Sequence, residues 1–188
     1  YEALVSRFGM WRNLRLFPVA VSDVEAQAVA FFTSEQSTGI SSLLDFHESH
    51  EFSESVATRR IDAIGPDEID FLKIDTEGFD RQVFRSCGAI RPRVLVTEYE
   101  DNKTRLLGYG SKDYADELVE AGYRVWASVW DPIVRYGGDH NWRELFRYDG
   151  RAPDERTWGN LIAVHESTGV NADVIDEHPR AKANADFL

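Results

Sequence analysis

One stretch of this chain, Ile69-Asp70-Phe71-Leu72-Lys73-Ile74-Asp75-Thr76-Glu77-Gly78, limits its possible folds more than any other. The apolar residues Ile69, Phe71, Leu72 and Ile74 stop abruptly at two carboxylates and a glycine. From Asp80 to Cys87 apolar residues return at helical spacing. A buried strand, a sharp turn and a helix form the repeating step of an α/β sheet, where ligands bind outside the carboxyl ends of the strands. Asp75 and Glu77 therefore fall where such a fold does its chemistry.

The length, 188 residues, suits one domain with a substantial core. A net charge of −12 would be repelled by a nucleic-acid backbone or an anionic membrane, so neither is expected as a partner. The chain contains no run of about 18 apolar residues that could span a bilayer. Tyr1-Glu2-Ala3-Leu4 has neither the basic region nor the apolar core of a signal peptide. It is also not an initiator sequence, so further residues are expected ahead of Tyr1. The single cysteine, Cys87, rules out an internal disulfide and a multi-cysteine zinc site. Its place in the helical segment marks it as a packed thiol, and a reducing cytoplasm is the expected compartment.

Read in order, Tyr1–Phe8 is the tail of a helix that Gly9 can stop, and Leu14–Val21 is a strand carrying Pro18. Ala28–Thr33 reads as a second strand, hairpin-like with the first. Ser34–Ser55 reads as a polar loop with one short helix, and Val56–Ile61 as a strand before the turn Gly65-Pro66-Asp67. After the central strand and helix come a strand at Pro92–Glu98, a helix at Lys112–Ala121 and a strand at Tyr123–Trp130. Asp131–Arg156 carries little regular signal, Gly159–His165 is a final strand, and Ser167–Leu188 is a polar tail. Domain limits of 1–166 and 167–188 follow. Two strand–helix–strand units and a closing pair suggest an open α/β sheet whose last two strands are antiparallel.

DFLKIDTEG at Asp70–Gly78 resembles the signature strand of the FkbM family of S-adenosylmethionine-dependent methyltransferases. Supporting stretches follow the family's order: PVAVSD at Pro18–Asp23, TGISSL at Thr38–Leu43, RRIDAI at Arg59–Ile64, PRVLVTE at Pro92–Glu98 and GNLIAVHE at Gly159–Glu166. The resemblance implies a Rossmann-like class I methyltransferase sheet, mostly parallel with an antiparallel C-terminal pair. It also implies a glycine-rich loop after a first strand and a ribose-binding acid after a second, and this sequence contains neither. The expectation is a domain whose N-terminal strands are missing here, and which alone binds S-adenosylmethionine poorly.

The implied reaction is methyl transfer to a hydroxyl oxygen of a small molecule or glycan. Asp75 and Glu77 are the candidate catalytic residues, one orienting the cofactor's methionine amino group and the other serving as base or hard metal ligand. Ala20, Val21, Ser22, Asp23, Asp75 and Gly78 are the candidate cofactor-binding residues. Glu98 could join Asp75 and Glu77 around a divalent cation, although no metal ligand set is specified. Lys73 would pair with one of these acids. His47 and His50 read as loop residues. The aromatics Trp130, Tyr136, His140, Trp142, Phe146 and Tyr148, with Gly137-Gly138 as a hinge, could form a lid over a ring-shaped acceptor. Two other readings stay open: a non-catalytic FkbM-like interaction module of a larger protein, and a metal-dependent hydrolytic enzyme using Asp75, Glu77 and Glu98.

Overall fold

Strands and short helices alternate along the computed structural model, which describes residues 1–133 and 138–178. The order is α1 (Glu2–Phe8), β1 (Ala20–Val21), β2 (Ala26–Ser34), β3 (His50–Arg59), α2 (Ile61–Ile64), β4 (Phe71–Ile74) and α3 (Asp80–Arg85). Then come β5 (Val94–Glu100), α4 (Asp101–Thr104), α5 (Ser111–Glu120), β6 (Tyr123–Trp130), β7 (Trp142–Arg147), β8 (Trp158–His165) and α6 (Asp173–Asp176). The strands form a three-stranded sheet in the order β1-β3-β2 and a five-stranded sheet in the order β4-β5-β8-β6-β7.

The larger sheet is built on strict alternation. Leu95, Thr97 and Tyr99 point to one face of β5, and Leu161 and Ala163 of β8 continue that face through the register Leu95↔Ala163 and Thr97↔Leu161. Val125 and Ala127 extend it on β6. Against it pack Val83 and Phe84 of α3 and Tyr114, Ala115 and Leu118 of α5, forming the main core. Arg81 and Arg85 of α3 clamp Glu117 of α5 at 2.6 and 2.7 Å, which fixes the two helices side by side. On the other face Trp126 and Val164 are covered by Val170, Ala172 and Ile175, and the Trp126 indole donates to Asp176 at 2.6 Å.

The expected elements need correction in five places. The five-stranded sheet is mixed rather than mostly parallel: β4 and β5 run parallel and β6–β8 is the expected antiparallel pair, but β5–β8 and β6–β7 are antiparallel as well. β1 is two residues long rather than the whole of Leu14–Val21, and Pro18, which has no N–H to offer a ladder, lies just before it. β1 and β2 do not form a hairpin, because β3 lies between them, parallel to β1 and antiparallel to β2. The stretch read as a loop up to Ser55 already enters β3 at His50, and the irregular stretch after Asp131 contains the edge strand β7. Tyr136 and Gly137 of the expected lid, and residues 179–188 of the expected tail, lie outside the described residues.

Among the described residues no ladder hydrogen bond joins the two sheets. β1 and β4 each pair on one side only among the described residues. Residues from both free edges, Val19–Val21 and Leu72–Asp75, line a single cleft of about 490 Å³ whose remaining walls include Ser42, Ile61 and Phe79. No helix of the described residues is long and apolar enough to cross a membrane.

Candidate functional site

The turn from β4 into α3 is held by a carboxylate that lies beneath it. Asp80, the first residue of α3, is 2% exposed. One of its oxygens accepts from the Thr76 hydroxyl at 2.9 Å and the Thr76 N–H at 3.3 Å. The other accepts from the Thr97 hydroxyl at 3.1 Å and the Glu98 N–H at 3.0 Å. Asp80 thus ties the carboxyl ends of β4 and β5 together and fixes how far Asp75 and Glu77 lie from Glu98. Burial pushes its pKa above the ordinary carboxylate value, while its four donors pull the other way.

The backbone above Asp80 is strained. Glu77 has φ +54°, the one non-glycine residue with positive φ among those described, and Gly78 follows at φ +105°. Such conformations persist where the surroundings over-determine them. Here the Ser42 hydroxyl donates to the Glu77 carbonyl at 2.9 Å, and the Tyr109 hydroxyl donates to the Gly78 carbonyl at 3.1 Å. A Cβ at Gly78 would meet the Lys103 Cβ at 3.2 Å and Leu44 at 3.3 Å. Gly78 therefore permits a close approach of protein to protein.

The turn aims Glu77 at Lys103, an ammonium only 3% exposed. Lys103 hydrogen-bonds the Glu77 carboxylate, lies 2.7 Å from Glu100 and 3.7 Å from Glu98, and stands over the Phe46 ring at 5.1 Å. Burial opposes its charge, but the three carboxylates outweigh burial and hold it well above the ordinary lysine range. Desolvation raises Glu77, opposed by Lys103. Glu98, 9% exposed, is pushed up to about 8 by burial, with Lys103 lowering it and the neighbouring acids raising it further. Carboxylate oxygens of Asp75, Glu77 and Glu98 lie within 4.8 Å of one another, a spacing that could close on a cation. Lys103 already brings one to that cluster.

Asp75 differs from its neighbours. It is 56% exposed, pairs with Lys73 at 3.1 Å and lines the cleft between the sheets. Lys73 also donates to the Asn160 side chain at 3.3 Å, linking the turn to β8.

Residues 12–125, more than half of the chain, match the Methyltransferase FkbM domain. The chain belongs to the FkbM methyltransferase family. No curated protein and no solved structure matches it.

Within this FkbM domain the structure brings Asp75, Ala20 and Val21 to the same cleft. Ser22 and Asp23 follow directly; Ser22 is buried, its hydroxyl 3.2 Å from Asp23, and the Asp23 carbonyl accepts from Arg60 at 2.8 Å. Glu77 turns away toward Lys103, and Gly78 packs beneath Leu44. His50 departs from its expected loop setting: its side chain is fully buried and its Nε2 is 2.8 Å from the Ile40 carbonyl. Cys87 is fully buried and its thiol is pushed up to about 11, as befits a packed thiol. Asp80 and Lys103 were not singled out by sequence reasoning. Asp80 left one trace, a second acid just past the turn at the start of a helix, whereas Lys103 in DNKT reads as solvent-facing.

Proposed function

We propose that this domain transfers a methyl group from S-adenosylmethionine to a hydroxyl oxygen of a small molecule or glycan. The observation that carries the proposal is the acid cluster at the carboxyl ends of β4 and β5, opening on an apolar cleft inside an FkbM domain. Charge provides the test of fit. Four carboxylates (Asp75, Glu77, Glu98 and Glu100) meet two ammoniums (Lys73 and Lys103). Of these, Asp75 reaches the cleft beside Val21, Leu72, Ile74 and Phe79, and an exposed carboxylate next to apolar walls suits a ligand that joins an ammonium and a sulfonium to a flat base. When bound, S-adenosylmethionine supplies an electrophilic methyl group.

The residues of the chain do the rest. Asp75, exposed at the cleft rim, holds the amino group of the methionine part. Ala20 and Val21 present backbone to the base, with Ser22 and Asp23 next to them. Glu98 carries no hydrogen-bond donor on its carboxylate among the described residues, so it is free to take the proton that an acceptor hydroxyl loses. A base poised near neutrality is what that task requires. Glu77 anchors Lys103, which keeps the cluster from repelling itself. The glycine loop and ribose-binding acid expected of the family are absent from these 188 residues, so the test belongs to the full-length protein. Calorimetric titration with S-adenosylmethionine should give saturable binding, and Glu98→Gln should abolish transfer with the fold intact. Neither binding nor transfer by the full-length protein would favour an interaction module, and metal-dependent hydrolysis without S-adenosylmethionine would favour the hydrolytic reading.

A further inference from the structure

The face of the large sheet that bears the acids also bears a paired aromatic surface. Along β5, Glu98 and Glu100 share a face; register places Asn160 opposite Glu98 and Trp158 opposite Glu100. On β6, Trp130 lies opposite Trp158. The two indoles stack at 5.7 Å between centroids and 27° between planes, and His140 meets Trp158 edge-on at 5.1 Å. Both tryptophans are only partly buried, and they lie outside the main core and outside the cluster beneath the C-terminal segment. The Trp158 indole N–H is sealed from solvent yet has no acceptor among the described residues. An orphaned donor costs about 1–3 kcal/mol and marks a site more readily than a core. Lys73, bonded to both Asp75 and Asn160, joins the aromatic pair to the acids.

We infer that Trp130 and Trp158 form the acceptor platform and that the acceptor is a pyranose ring. This rests on the methyl-transfer reading above. A sugar ring has a flat C–H face, which stacks on indole, and a rim of hydroxyls, which bind amide and carboxylate groups. The aromatic pair matches the first, while Asn160, two residues along β8 from Trp158, and Glu98, opposite Asn160 on β5, match the second. A wholly aromatic acceptor would need the stacking surface alone and leave buried carboxylates facing an apolar ring, at a desolvation cost.

The test is tryptophan fluorescence and saturation-transfer NMR on the full-length protein with methyl glycosides of glucose, galactose, mannose and fucose, and with phenol as the aromatic comparison. At least one glycoside should bind saturably. Trp158→Ala should weaken that binding by about tenfold, equivalent to about 1.4 kcal/mol. Trp158→Phe should keep most of it, and the distant Trp11→Phe should change nothing. If Trp158→Ala fails to fold, Trp130→Ala serves in its place. Binding of phenol without any glycoside, or equal glycoside affinity in every variant, overturns the inference. S-adenosylmethionine binding, measured separately, tells this failure apart from failure of the methyl-transfer reading: methylation of a non-carbohydrate hydroxyl with no glycoside binding would sink only the platform.

Discussion

The two strand ends that face the cleft are held in very different ways. At the end of β4, four hydrogen bonds to Asp80, one from Ser42, one from Tyr109 and the Lys103 ion pair converge on a single turn. At the end of β1, two residues pair with Thr58 and Arg59 of β3, and the remaining edge is open. The acceptor-side half of the proposed site is thus preorganised by this chain's own core, with its geometry set before any ligand arrives. The cofactor-side half is lined by free strand edges. Perturbing the first should cost much more stability than perturbing the second, and the difference can be measured.

The largest effect is expected from Lys103→Met. It removes the cation from one buried and two partly buried carboxylates while keeping the aliphatic bulk. Breaking a buried pair by removing one partner costs about 3–5 kcal/mol. Urea denaturation at neutral pH should show that loss, and the loss should shrink in acid as Glu77 and Glu98 protonate. A cost below about 1 kcal/mol would mean that the cluster is better solvated than its burial indicates.

Next comes the pH dependence carried by Glu98. Its folded value, about 8, is raised above the ordinary 4.5. Below the unfolded value both states are protonated and the contribution is fully present. As pH rises toward about 8 the unfolded state gives up the proton first, so stability falls through that window. The fall should be on the order of a few kcal/mol, and Glu98→Gln should flatten it. A wild-type stability curve already flat across this range would remove Glu98 as a base poised near neutrality.

Much of the strong half of this comparison could be read from residues near each other in sequence. The apolar run ending at Asp75 located β4, and Tyr123–Trp130 matches β6 residue for residue. What escaped depends on distance along the chain. Lys103 meets Glu77 across 26 positions and Asp80 meets Glu98 across 18; no local pattern marks a lysine in DNKT as buried. β7 escaped for another reason: as an edge strand it leaves Trp142, Glu144, Leu145 and Phe146 all partly buried, so Trp142–Arg147 shows no clean alternation. The antiparallel closing pair was legible, and β6 and β8 form it. The mostly parallel character failed at β5, whose antiparallel neighbour β8 could not be foreseen because an apolar run gives no strand order.

A smaller effect is expected in the β1–β3–β2 sheet. The Thr58 hydroxyl accepts from the Ala26 N–H at 2.9 Å and donates to the Val24 carbonyl at 2.7 Å, closing the start of β2 onto β3 beside β1. Thr58→Val keeps the shape and removes both bonds, at about 1–2 kcal/mol. Hydrogen exchange should show the loss confined to β1–β3, with β4 and β5 unchanged. Equal loosening of both sheets would mean that they form one cooperative unit despite lacking a shared ladder.

Asp75→Asn should have the smallest effect on stability and separates holding from reacting most cleanly. The Lys73–Asp75 pair is exposed on both sides, 41% and 56%, and exposed pairs contribute about 0–1 kcal/mol. Denaturation midpoints of the variant and the parent should therefore nearly coincide. Transfer by the full-length protein should nonetheless fall by about a hundredfold, with affinity for S-adenosylmethionine reduced alongside it, because Asp75 supplies a charge at the cleft rim that asparagine cannot. A stability loss above about 2 kcal/mol would place Asp75 with Asp80 as part of the turn's scaffold. Unchanged transfer would leave the cleft without its methionine-side anchor and move that role to Glu98.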